Sequence, residues 1–378
     1  MGMVSPGYLR PVQTGPIKPE EDAVISAICP GLGQTVEADD RESDPLWGPY
    51  VAMYTSWATD PELRYAGASG GALSAILAYL VETGVVDAVA QVEADRADPI
   101  GNAMTISTDR EAIRDAAGSR YAPSAPVANL PEWLERHRRE GTRFAVVGKP
   151  CDAVALAAFR GRDAEVAAAV PVILSFFCAG VPSLRGGGAI LQSLQAPADQ
   201  VIGFRYRGNG WPGQATATLS DGSTRSMSYH DSWGGILTQH LQHRCKICAD
   251  GTGMAADIVC ADAWESNEKG YPIFDEAPGV SLLVSRTRLG EQLVRQAKEA
   301  GAIEIAGFDP EALAAIQPGQ RERRRALLAR LTALRMVGRP IPRYRGLNLA
   351  EAAKQNPLRR NLRNFLGTLR RSLHPRNR

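Results

Sequence analysis

Two cysteines separated by two residues, in Arg244-Cys245-Lys246-Ile247-Cys248-Ala249-Asp250-Gly251, can present a pair of thiolates from one turn. Two more, Cys151 and Cys178, each stand just after an apolar run. Four thiolates can bind a [4Fe–4S] cluster, one per iron, and the same donors can hold zinc. A redox dithiol at Cys245 and Cys248, or buried thiols acting as small hydrophobes, are the alternatives. Cys29 and Cys260 lack spaced partners and are expected to pack.

These cysteines need strand ends and loops to bring them together. Gly67-Ala68-Ser69-Gly70-Gly71 precedes a segment in which Leu73, Ile76, Leu77, Leu80 and Val81 keep helical spacing, closed by Gly84. Residues 85–92, 143–147 and 170–177 read as strands, and a helix is expected from Asp152 to Arg160. Strand, loop and helix thus alternate through the first half. The fold class is α/β, or α+β overall, with a mostly parallel sheet flanked by helices. Parallel strands bring their carboxyl ends to one edge, where such sheets place their sites. Cys151 and Cys178 can therefore share an edge. A central region of short strands follows at residues 201–207, 214–219 and 224–228, with Asp221-Gly222 as a hairpin turn. Helices return after Arg286. The boundaries expected are an irregular N-terminal segment over 1–45, one principal domain over 46–310, and a basic helical C-terminal tail over 311–378.

Composition narrows the class. The chain has 378 residues, of which 44% are hydrophobic, enough for one large or two moderate cores. Its 37 Gly and 25 Pro suit a loop-rich enzyme better than a helical bundle. The net charge of +2 conceals an asymmetry. From Arg321 onward there are 17 Lys/Arg against two acids, a charge of +15; the rest holds 26 Lys/Arg against 39 acids, or −13. No apolar leader opens the chain and no apolar run reaches the roughly 18 residues of a membrane helix. The expectation is a cytoplasmic protein with reduced thiols.

Five motifs then carry a resemblance. They are Gly67-Ala68-Ser69-Gly70-Gly71 with its helix, Val147-Gly148-Lys149-Pro150-Cys151, and Phe176-Phe177-Cys178-Ala179-Gly180. After them come Phe204 to Gly213, and Arg244 to Gly253 continuing through Asp257 to Trp264. In that order they resemble the beta subunit of coenzyme F420-reducing hydrogenase and its relatives, which include 7-hydroxymethyl chlorophyll a reductase and ferredoxin-dependent divinyl chlorophyllide reductases. The resemblance implies an oxidoreductase that carries FAD beside a [4Fe–4S] cluster on Cys151, Cys178, Cys245 and Cys248. It implies hydride transfer at the flavin coupled to one-electron transfer with a redox partner protein such as a ferredoxin. Many relatives begin with a Cys-rich ferredoxin-like segment, of which only Cys29-Pro30 remains, so one cluster is expected. The alternative is a zinc-binding or non-catalytic relative acting in binding or assembly at a membrane, in polysaccharide synthesis for example.

Candidate flavin contacts follow from residue chemistry. Ser69, Gly70 and Gly71 open a helix N-terminus, which suits a phosphate or a flavin edge. Lys149 can place positive charge near the flavin. Arg205 and Arg207 alternate on a strand and can meet FAD phosphates or an anionic substrate. Asp250, Thr252 and Asp257 can wrap phosphate or ribose, or simply shape the cysteine loop. No histidine is assigned as a catalytic acid, and neither GxSxG nor GxGxxG is present. In the tail, Leu358, Leu362, Phe365, Leu366, Leu369 and Leu373 interleave with arginines as a basic amphipathic helix. It can lie on an anionic membrane, dock on an acidic partner or pack on its own body. A small-molecule substrate and a homo-oligomer are admitted. Nucleic acid is not expected, because no recognition motif accompanies the charge.

Overall fold

A computed structural model describes residues 1–263 and 275–373. Its principal sheet has eight strands: β1 (Ala52–Ala58), β2 (Ala88–Ala94), β3 (Asn102–Ser107), β4 (Phe144–Gly148), β5 (Val172–Phe176), β6 (Ile258–Asp262), β7 (Ser281–Ser285) and β8 (Ile303–Gly307). They lie in the order β8-β1-β7-β6-β5-β4-β2-β3. The central four are parallel, with Val89 opposite Ala145, Val146 opposite Ile173, and Ser175 opposite Val259. Antiparallel strands complete both flanks. Every residue of β4 is buried, as is all of β5 up to Ser175. Covered on both faces, such strands become continuous apolar runs.

The helices supply that cover. On one face α1 (Ala72–Glu82) packs Ile76, Leu77 and Leu80 into a core shared with Val89, Val147 and Leu174. On the other, Ala153 and Leu156 of α2 (Pro150–Arg160) meet Val146 and Ile173. The helix α3 (Arg288–Glu299) returns Leu293 and Val294 to the first core. A three-stranded antiparallel sheet, Val201–Arg205, Gln214–Leu219 and Thr224–Ser228, forms its own core beside the main one. The hairpin at Asp221-Gly222 is present, with Gly222 at φ +83°. The fold is thus the α/β class expected, with helices around a sheet whose centre is parallel.

The N-terminal segment differs from expectation. Residues 1–45, expected to be irregular, include the hairpin Gly2–Val4 with Tyr8–Arg10, the helix Pro19–Ile28, and the strand Gly33–Thr35. That strand pairs in parallel with Arg343–Arg345, some 300 positions away. The tail contributes α4 (Pro318–Met336) and α5 (Leu358–Leu373). Val36 packs with Leu327, Leu331 and Leu334 of α4 in a small fourth core, together with Ile247 and Ala249 of the cysteine loop. The two termini therefore fold together around Cys245 and Cys248. Local pattern carries no trace of this, because the pairing is non-local and the contacts come from opposite ends of the chain.

Candidate functional site

A cavity of about 560 Å³ opens at the carboxyl ends of β4, β5 and β6. Small-molecule sites fall in this size range, about 300–1,000 Å³. One wall is the entry to α1. Gly70 sits where a Cβ would come within 2.8 Å of the Ser56 carbonyl and 2.7 Å of the Ser281 nitrogen, so only glycine fits. Gly71 takes the left-handed conformation, φ +70°, and brings no side-chain cap to the helix. The first amides of α1 are thus left for a ligand. Ser69 and Gly71 line the cavity, whereas Gly70 does not.

The opposite wall carries Lys149 and Cys178. Lys149 is held by Asp152 at 2.6 Å and by the Ser124 hydroxyl at 2.8 Å. Burial opposes its charge, but Asp152 and the neighbouring Cys151 outweigh that and raise its pKa. Its positive charge is therefore fixed on this wall. Cys178 lies two residues beyond the end of β5. Its amide donates to the Gly251 carbonyl at 2.8 Å, and its carbonyl accepts from Arg323 of α4 at 2.8 Å.

The four cysteines form one neighbourhood. Cys151 is in the first turn of α2. The Cys245 sulfur accepts from the Val181 amide at 3.4 Å, and the Cys248 thiol donates to the Asp250 carbonyl at 3.1 Å. Burial raises the thiol pKa of Cys151, of Cys178 to about 12, and of Cys245, and each is raised further by a neighbouring cysteine. Cys151 feels Cys178 and Cys248; Cys178 feels Cys245 and Cys248; Cys245 feels Cys248. A cationic cofactor would relieve that crowding of incipient charge. Among the described residues no three His, Cys, Asp or Glu side chains are placed to hold a single metal ion. A single zinc needs all its donors about 2.3 Å from one point; a four-iron cluster takes one thiolate at each iron. Cys260, by contrast, lies buried on β6 within the main core.

Arg207 reaches the cavity from the far side. Its side chain is only 2% exposed and pairs with Asp262 at 2.8 Å, donates to the Pro212 carbonyl at 2.9 Å, and lies over the Tyr229 ring at 4.4 Å. Burial disfavours its charge, yet Asp262 prevails and raises its pKa. Its Nη2 is buried without a hydrogen-bond partner. A buried guanidinium donor left open on a cavity wall is a ready anchor for an anionic group.

The remaining candidates sit elsewhere. Arg205 donates to the Ala117 carbonyl and does not line the cavity. Asp250 accepts from the amides of Thr252, Gly253 and Met254, tying the turn after Cys248, and the Thr252 hydroxyl donates to the Trp47 carbonyl. Asp257 is buried behind β5, bonded to Arg160, the Ile173 amide and Thr287. None of these three lines the cavity, and neither does His230, His240 or His243. Trp264 lies outside the described residues. Sequence inspection missed Tyr121, Trp233, Gln320 and Arg323 as lining residues. It also missed the buried Arg324, which donates to the carbonyls of Pro45, Ala249 and Leu347. The charge of the tail was visible, but nothing in it marked which arginines turn inward.

Two family descriptions match the chain: the N-terminal part of the coenzyme F420 hydrogenase/dehydrogenase beta subunit over residues 53–131, and its C-terminal part over 141–311. The coenzyme F420 hydrogenase subunit beta of Methanococcus voltae is 25% identical over 307 residues, covering 78% of this chain and 99% of that protein. The F420-dependent formate dehydrogenase 1 subunit beta of Methanococcus maripaludis is 25% identical over 265 residues, 69% of this chain and 63% of that one. A chain in a structure of the F420-reducing [NiFe] hydrogenase complex from Methanosarcina barkeri, studied by xenon derivatization, shares the fold with a TM-score of 0.56. Its identity is 22%, with 76% of this chain and 96% of that chain covered. With both parts matched in order across the sheet and the cysteine loop, the chain belongs to the coenzyme F420 hydrogenase/dehydrogenase beta-subunit family, whose relatives are oxidoreductase subunits.

Proposed function

We propose that the cavity binds FAD and that Cys151, Cys178, Cys245 and Cys248 hold one [4Fe–4S] cluster beside it. The observation that carries this is the double position of Cys178, which is on the cavity wall and is also a neighbour of Cys245 and Cys248. When bound, the flavin would exchange a hydride with a reducible small molecule and the cluster would pass single electrons to or from a partner protein. The chain's own residues prepare that site. The uncapped start of α1 offers amides to a phosphate or a flavin edge. Lys149, braced by Asp152 and Ser124, supplies a fixed positive charge on the wall next to Cys178. Arg207 offers its open Nη2 to an anionic group. Asp250 and Arg324 hold the cysteine loop from behind.

The substrate proposed is a soluble two-electron carrier of the kind named for the relatives, and the electron partner a separate redox protein. Anaerobic purification followed by flavin, iron and sulfide analysis tests the assignment. One FAD and one four-iron cluster per chain are expected, with Cys178→Ser losing the iron. A colourless protein, or zinc in place of iron, would overturn it.

A further inference from the structure

The last helix is turned the wrong way for a helix that serves only to pack on its own protein. α5 packs against α4, with Arg360 paired to Glu322; Thr368 is buried and Asn361, Asn364 and Phe365 are half-buried. Its inward polar groups are satisfied locally: Asn361 donates to the Ala353 carbonyl, Asn364 to the Arg360 carbonyl, and Thr368 to the Asn364 carbonyl. The leucines face outward. Leu358 is 84% exposed, Leu362 54%, Leu366 51% and Leu373 59%. At 100° per residue these four and Leu369 fall within one narrow stripe about 24 Å long. Arg359, Arg363 and Arg370 run along one border of that stripe. They are exposed and make no ion pair among the described residues.

We infer that this stripe is a docking surface for an anionic lipid membrane, with the helix lying in the plane of the headgroups. Three observations select that occupant. The helix has five arginines and no acid, so a second copy docked stripe to stripe would bring two cationic rims together. The stripe is aliphatic without Trp or Tyr, the anchors that protein interfaces favour with arginine. The arginines border the leucines, as a helix lying at the headgroup boundary requires when its cationic side chains reach the phosphates. Crossing is not at issue: among the described residues no helix is long and apolar enough to span a bilayer.

The outward leucines contribute nothing to the core, so changing them leaves the fold intact and isolates docking. The full chain should sediment with vesicles of phosphatidylcholine and phosphatidylglycerol in 3:1 ratio and remain in solution with phosphatidylcholine alone. Replacing Leu362 and Leu366 together by Asp should abolish sedimentation while leaving the melting temperature and circular dichroism unchanged. Replacing Arg359, Arg363 and Arg370 by Gln should weaken binding about 100-fold, at roughly fivefold per arginine near an anionic surface. A wild-type chain that stays in solution with anionic vesicles overturns the inference. Equal binding to both vesicle types overturns the role of the arginines. A dimer that the Leu362→Asp, Leu366→Asp variant dissociates, without vesicle binding by either protein, assigns the stripe to a second copy instead.

Discussion

Arg324→Met tests whether the C-terminal tail is part of the cysteine site. The Arg324 side chain is buried, 5% exposed, and bridges three segments that are distant in sequence through the carbonyls of Pro45, Ala249 and Leu347. Burial lowers its pKa to about 10, with Asp250 opposing, so it remains charged at neutral pH. Hydrogen bonds from a charged donor contribute about 1.5–3 kcal/mol each, and three of them exceed the several kcal/mol needed to desolvate the guanidinium. Methionine restores the aliphatic packing but leaves three buried carbonyls without donors. A net loss of about 3 kcal/mol follows. Over an unfolding entropy of about 0.8 kcal/mol/K for a chain of this length, that lowers Tm by about 4 °C. The cysteine loop should suffer first, because Ala249 lies one residue after Cys248. Iron content per chain should therefore fall at temperatures where circular dichroism is still native. Arg324→Lys should recover part of the loss, since one ammonium cannot reach three divergent carbonyls. A variant with wild-type Tm and full iron content would refute the role given to this arginine.

Asp257→Asn leaves Arg160 with an uncharged partner in a buried site, so stability should fall by about 3–5 kcal/mol, read by urea unfolding, while the FAD content of the folded fraction stays constant; loss of FAD at unchanged stability would instead put Asp257 at the cofactor. Arg207→Lys keeps the charge beside Asp262 but loses the third donor, and FAD affinity, followed by fluorescence titration, should weaken by about 10–100-fold for one charge-assisted bond; an unchanged affinity would remove Arg207 from the proposed flavin contacts. Glu291 is raised by burial but lowered more by donation from Ser285, Tyr54 and Arg295, leaving its pKa below the ordinary value. A depressed carboxyl stabilises the fold fully above the unfolded value, near 4.3, and loses that contribution as pH falls through the folded value. Glu291→Gln should thus be less stable than wild type at pH 7, with the gap closing below about pH 4; a gap that stays constant down to pH 3 would exclude this origin.

The parts of the fold legible in the sequence are those specified by local pattern. The strands Gln214–Leu219 and Thr224–Ser228 begin and end where alternation and the Asp221-Gly222 turn place them. β4 and β5 announce themselves as apolar runs because both faces are covered. The Gly70-Gly71 entry to α1 is legible because two backbones approach it closely. Strand β6 gives a weaker signal because it directly follows a loop whose own motifs dominate the segment. The pairing of Gly33–Thr35 with Arg343–Arg345 had no local signal, since three-residue strands carry no periodicity. In the site, cysteine spacing and strand ends pointed to Cys151, Cys178, Cys245 and Cys248, whose thiols are near enough to raise one another's pKa values, while Asp250, Thr252 and Asp257 have the side-chain chemistry of ligands but spend it on backbone amides, carbonyls and neighbouring side chains.

The basic tail shows why total charge is a poor guide to role. Beyond the residues paired with Glu322 and Glu351, its basic side chains include arginines that bond backbone carbonyls and arginines that face solvent. Arg323, Arg324 and Arg330 donate to Cys178, Ala249 and Lys246, all within the segments that present the cysteines. A carbonyl accepts from a guanidinium without neutralising it, so these residues bring positive charge close to thiols whose pKa values are raised by burial and mutual repulsion. That charge favours thiolates, as the proposed four-thiolate cluster would require. Arg359, Arg363 and Arg370 do none of this: they are exposed on a helix whose inward polar groups are locally satisfied. One stretch of sequence with one composition thus performs two physically separate tasks, and the division is set by which side of α4 and α5 each arginine occupies.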